Sequence, residues 1–189
     1  MAIRTAVNRA LTAITALPTA AALANGNLTL LTTATASSSA TLDFTSSIDS
    51  TYDSYVFKFI NIHPATNAAF FTFQANAAGG SGYNETITST MFVAYHEEDG
   101  SDSGLAYATS GDQANGTAFQ QIARGTRNEA DDNCSGYLHL FNPSSTTFVK
   151  NYFASASTVG SAESDVYHTA GYFNVTAAID EIQFKMTSG

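Results

Sequence analysis

Beyond Gly26 the chain never sustains the three- and four-residue apolar spacing of a helix. It runs instead as short stretches of β-branched and aromatic residues, often alternating with Ser, Thr or Asn and broken by turn-forming pairs. That pattern excludes parallel crossovers, because no helical segment lies between the stretches to make them. The spacing predicts strands over 28–35, 40–44, 55–62, 70–76, 83–95, 105–109, 117–123, 136–141, 146–155, 167–175 and 178–186. In the second of these, Ala40, Leu42 and Phe44 share one face and Thr41 and Asp43 the other. His63-Pro64, Ala78 to Gly82, Asp99-Gly100, Asn115-Gly116 and Asn142-Pro143 supply the turn chemistry between them. The fold class expected is all-β, an antiparallel β-sandwich of jelly-roll type. Its core, or an interface, would take Phe44, Phe57, Phe59, Phe71, Phe73, Leu138, Leu140, Phe148 and Phe184. The strand Tyr55 to Ile62 is apolar on both faces, as in a central strand covered on two sides or one lying at a subunit interface.

Ahead of that body, residues 2–17 place Ile3, Val7, Ala10, Leu11, Ile14 and Leu17 on one helical face, and Pro18 ends the pattern. Asn25-Gly26-Asn27 then separates this segment from the rest. The division expected is a helical anchor or arm over 1–27 and a β-sandwich domain over 28–189. One amphipathic helix of this length is marginal alone and needs a partner for Ile3, Val7, Leu11 and Ile14, so these four are the candidate assembly anchor. A secretory signal is a second reading of the same stretch, since Arg4 and Arg9 precede an apolar run ending in small residues, although Thr12, Thr15 and Thr19 interrupt it. No run reaches the roughly 18 apolar residues of a membrane-spanning helix.

Seven Lys and Arg stand against 16 Asp and Glu, a formal charge of −9. With no basic stripe to neutralise phosphates, nucleic acid is not an expected partner. A single cysteine, Cys134, rules out an intrachain disulfide framework and a Cys-based zinc site. The acidic residues gather in polar loops. Glu97, Glu98, Asp99 and Asp102, in a loop with Gly100 and Gly104, offer the oxygen ligands a calcium ion prefers, but without EF-hand spacing. The plainer reading is a solvated loop, and Asn128 to Asn133 reads the same way. His63, His96, His139 and His168 share no ligand spacing, and His139 lies across its strand from Leu138 and Leu140. Hydrolase, phosphate-loop and dinucleotide motifs are missing, so neither a cofactor nor an enzymatic activity is expected. The nine tyrosines could offer stacking faces to sugars, although β cores and interfaces use the same residue.

The run from Ser37 through Phe57, followed by Ile60-Asn61-Ile62-His63-Pro64, resembles a recurrent segment of small structural proteins of tailed phages, especially marine ones. Leu140 to Thr147 and the closing stretch from Ala178 to Gly189 are similar to the same family, so the resemblance covers roughly residues 30–189. Family members usually continue with another Gly-containing strand, which the resemblance implies is absent here or supplied by a neighbour. It implies a place in the virion and carries over no catalytic residue. With the reading of the residues, three hypotheses stand to be discriminated, an enzyme being the least expected. The first is a capsid decoration or head-fibre protein, anchored to other virion proteins by its N-terminal segment and assembled as a homotrimer. The second is a tail-fibre or receptor-binding module for host-surface glycans. The third is a glycan-cleaving or other enzyme.

Overall fold

A computed structural model describes residues 28–188. The chain divides into two units, 1–33 and 34–189. Of the first, Leu28 to Thr33 are described, as exposed chain without regular structure. The strand expected over 28–35 does not form. Its apolar residues Leu28, Leu30 and Leu31 do not alternate cleanly, and no neighbouring strand pairs with them. Residues 1–27, with Ile3, Val7, Leu11 and Ile14 and the expected helix, lie outside the described residues.

The second unit is all-β, with no helix among its described residues. Its strands are β1 (Leu42–Phe44), β2 (Ser54–Ile62), β3 (Ala69–Ala77), β4 (Ile87–Glu97), β5 (Ser103–Tyr107), β6 (Ala114–Gly116), β7 (Gln120–Thr126), β8 (Cys134–Phe141), β9 (Lys150–Val159), β10 (Glu163–Phe173) and β11 (Ile179–Met186). A four-stranded sheet has the order β1-β11-β3-β7. A seven-stranded sheet has the order β2-β8-β9-β10-β4-β5, with β6 also paired to β4. Every pairing is antiparallel.

The two sheets pack face to face through aromatic rings. Phe59 of the larger sheet meets Phe71 of the smaller at 4.9 Å between centroids, and Phe73 of the smaller sheet lies 5.0 Å from Tyr152 of the larger. Strand alternation sends Leu138 and Leu140 of β8 and Tyr152, Ala154 and Ala156 of β9 into this layer. Gly136 is required where β8 passes β9, because a Cβ there would run into the Ser155 carbonyl oxygen.

Of the expected core, Phe59, Phe71, Phe73, Leu138, Leu140 and Phe184 are buried. Phe44 and Phe57 are half-buried against the same cluster. Phe148 is 68% exposed, contrary to expectation, because it lies in the loop before β9 rather than in a strand. Strand β2 is not central: it forms an edge of the larger sheet, with Tyr55, Phe57 and Phe59 inward and Ile60 exposed. Asn115-Gly116, read as a turn, falls within the short strand β6. Asn115 takes a positive φ there, which its side chain tolerates better than most.

Two buried glutamines are bonded to nearby loops, whereas the Tyr152 hydroxyl within the layer has no hydrogen-bond partner among the described residues. Gln74 Nε2 donates to the carbonyls of Glu85, Thr117 and Ala118, and Gln120 Nε2 donates to Gly111 O while its Oε1 accepts from Ser89. These bonds tie the irregular segments around β6 to the core.

Candidate functional site

The larger sheet has an outer face that the smaller sheet does not cover. Inward residues of β8, β9, β10 and β4 are small or aliphatic beside a few aromatics, so alternation places the intervening residues outward. Cross-strand registry sets these out in rows. His139, Phe153, Ala170 and Thr90 form one, and Tyr137, Ser155, His168, Phe92 and Tyr107 the next. Phe153, Tyr107, Tyr137 and Phe92 are all exposed. His139 lies against Phe141 with ring centroids 4.0 Å apart, Phe141 meets Phe153 edge-on at 5.8 Å, and Phe92 lies 5.0 Å from His168.

Small side chains between these rings leave the face concave. One depression of about 580 Å³ is bounded by Phe141, Phe153 and Tyr172, with Thr88, Thr90 and Asn151 alongside. A second, about 260 Å³, adjoins it between Phe92, Tyr137 and His168. Phe153 and Thr90 border both. No Asp or Glu occupies an outward strand position on this face; among Lys, Arg, Asp and Glu only Lys58 on β2 does. In a chain of net charge −9 the only carboxylate bonded to an outward ring of these rows, among the described residues, is Asp112, which accepts from Tyr107 OH at 2.7 Å at the β5 edge. Burial lowers the His139 pKa, which favours the neutral ring beside Phe141.

The two acidic loops are organised by their own hydrogen bonds. In the β4–β5 hairpin, Gly100 supplies the positive φ and Asp99 Oδ1 accepts from Ser101 N at 2.8 Å; the Ser101 side chain first, and then this backbone bond, hold the Asp99 pKa below the usual carboxylate range. Glu97 accepts from the Ser101 hydroxyl, and Asp102 accepts from Tyr95 OH and Ser103 N. Glu97, Glu98, Asp99 and Asp102 are thus brought to one hairpin. Even so, the described residues contain no group of three or more His, Cys, Asp or Glu arranged to hold a metal ion. The Asn128 to Asn133 loop is braced by Arg127, which pairs with Asp132 at 3.2 Å and Glu129 at 3.4 Å. His63 Nδ1 lies 2.7 Å from the Asp132 carbonyl and ties this loop to the β2–β3 connection. Cys134 is buried and its thiol is pushed up to about 12 by burial, so it is no nucleophile at neutral pH.

Titratable groups also meet at the inward end of β10. Glu163 stands directly opposite Glu97 in the ladder, and Asp165 is buried with its Oδ2 accepting from Tyr167 OH at 3.3 Å. Desolvation raises the Asp165 pKa; for Glu163 desolvation leads and the charges of Asp165 and Glu97 add to it. A carboxyl whose folded pKa is raised stabilises the fold below its unfolded pKa, and that stability is lost as pH rises through the folded value. Asp165→Asn is therefore expected to raise the melting temperature at pH 7, with the gain shrinking as pH falls toward 4. Thermal melts of both proteins across that range check this. A variant that melts lower than the parent at pH 7 would mean that the Tyr167 hydrogen bond outweighs desolvation.

The outer-face cluster was not assembled by sequence reasoning, which named Tyr residues as stacking faces without grouping them. The usable signal is Tyr152-Phe153-Ala154, where an aromatic occupies both faces of one strand. Comparison with protein-family models, curated proteins and solved structures yields no match for this chain.

Proposed function

We propose that the protein is a structural component of a virus particle, a capsid decoration or head-fibre subunit displayed as a jelly roll and anchored by its N-terminal segment. The observation that carries this reading is the strand order. With β1-β11-β3-β7 in one sheet and β2-β8-β9-β10-β4-β5 in the other, the order supports an eight-stranded jelly roll in which the β8-β9-β10 meander takes the place of one strand. The resemblance of the Ser37 to Phe57 and Leu140 to Thr147 segments to tailed-phage structural proteins supports the same reading. So does the exposed chain from Leu28 to Thr33, which leads from the amphipathic anchor toward the β unit in sequence. The partners are other virion proteins and further copies of the chain, with a homotrimer as the assembly.

Deleting residues 1–27 should abolish incorporation into particles while leaving the melting temperature of the β unit unchanged. Quantitative proteomics of purified particles should find the protein in many copies, as shell decoration needs. Undiminished incorporation of the truncated chain would remove the anchor from this reading. A few copies per particle would favour a tail fibre.

A further inference from the structure

We propose that the concave outer face of the larger sheet is a binding groove for an uncharged oligosaccharide, a chain of neutral hexopyranose units held across Phe153. This goes beyond the virion reading and stands independently of it. The larger depression, about 580 Å³, lies within the range of about 300–1,000 Å³ common to small-molecule sites. It continues past Phe153 into the second, so the accessible space is elongated, suiting a chain rather than a compact solute.

The lining has the two kinds of group a pyranose needs. Exposed rings of Phe153, Phe92 and Tyr137 present flat apolar faces to the axial C–H groups of a sugar. Between them, Thr90, Asn151 and Ser155 carry side-chain donors and acceptors with no hydrogen-bond partner among the described residues, free to meet sugar hydroxyls. The absence of carboxylates on the outward strand positions sets the ligand's charge. No acidic side chain lines either depression, Asp112 meeting the face only at Tyr107 on the β5 edge, and no basic cluster replaces them, because Lys58 stands on the opposite edge strand.

A second copy of the chain fits the same surface less well. Two concave faces related by a two-fold axis would enclose an unfilled space. They would also bury Thr90, Asn151 and Ser155 unpaired, each at the desolvation cost of a polar group left without a partner.

The test is titration of the ¹⁵N-labelled full chain, followed by NMR, with cellohexaose, maltohexaose, mannohexaose and chitohexaose, each to about 10 mM. At least one should bind with a Kd of about 1 mM or tighter and shift the amides of Thr90, Phe153 and Ala170. Phe153→Ala should weaken that binding about tenfold or more, and Thr90→Val by a smaller factor, with melting temperatures unchanged. Four outcomes overturn the proposal: no binding to any of the four, binding unaffected by Phe153→Ala, tighter binding of an acidic probe such as hexagalacturonate, or Phe153→Ala dissociating an oligomer in sedimentation without affecting sugar binding. The last would make the face a contact between copies.

Discussion

Replacing Phe184 by alanine is expected to cost about 3–5 kcal/mol, the range for removing a buried phenylalanine from a packed core. Phe184 on β11 is buried, and five other rings gather around it. Phe57 and Phe59 of the larger sheet lie at 5.4 and 5.2 Å, while Phe44, Phe71 and Phe73 of the smaller sheet lie at 5.9, 5.9 and 6.3 Å. Its ring therefore joins the two sheets at the end where β2 forms an edge, β2 having β8 as its only ladder partner among the described residues. A loss of this size corresponds to a melting temperature lower by roughly 6–20 °C. Phe148→Ala is the matched control. The same substitution at an exposed loop position is expected to change stability by no more than about 0.5 kcal/mol. If urea melts showed the two variants alike, the aromatic cluster would not be what holds the sheets together.

Lys150→Met should be the next most damaging change, at about 2–4 kcal/mol. Lys150 opens β9 and is fully buried, and its Nζ donates to the carbonyls of Phe148, Val175 and Thr176 at 3.0, 3.2 and 2.9 Å. These carbonyls lie in the loop before β9 and in the β10–β11 connection, so one ammonium clasps two irregular segments whose backbone acceptors are not taken up by the ladders. Desolvation holds the Lys150 pKa below the ordinary lysine value, with the Glu85 charge opposing it. Methionine relieves that burden and keeps the volume, yet leaves three acceptors without their donor, and the second effect is the larger. Urea denaturation of the full chain measures the difference. A variant as stable as the parent would show that water or backbone rearrangement replaces the clasp at little expense.

Lys150 also marks where sequence reading stops. Its neighbours in the chain, Val149 and Asn151, give no hint of burial, and the acceptors at Val175 and Thr176 are 25 and 26 residues away. Nothing local to a lysine announces a pocket of carbonyls. Phe148 shows the converse. An aromatic next to a strand invites placement in the core, but the strand begins two residues later and the ring is left in solvent. The acidic loops were legible, because Asp, Gly and Ser in that density favour turns whatever they pack against. Their internal bonding, with Asp99 on Ser101 and Arg127 on Asp132, is the short-range kind such sequences make.

Composition and alternation by themselves determined that this chain is antiparallel β, where most of its strands run, and that Phe71, Phe73, Leu138 and Leu140 face inward. Those are consequences of a two-residue period and of turn chemistry, both of which act within a few residues. Only the tertiary structure decided that β2 is an edge and that a sheet of seven strands lies against one of four. Pairing depends on partners distant in the chain, and the same alternating strand suits an edge or a centre until its neighbours are known. The sandwich covers only the inward face of the larger sheet, which leaves Phe92, Tyr137 and Phe153 exposed on its outer face. Period alone says that such residues share a side of a strand; which side faces the other sheet is settled only by the packing of the two sheets.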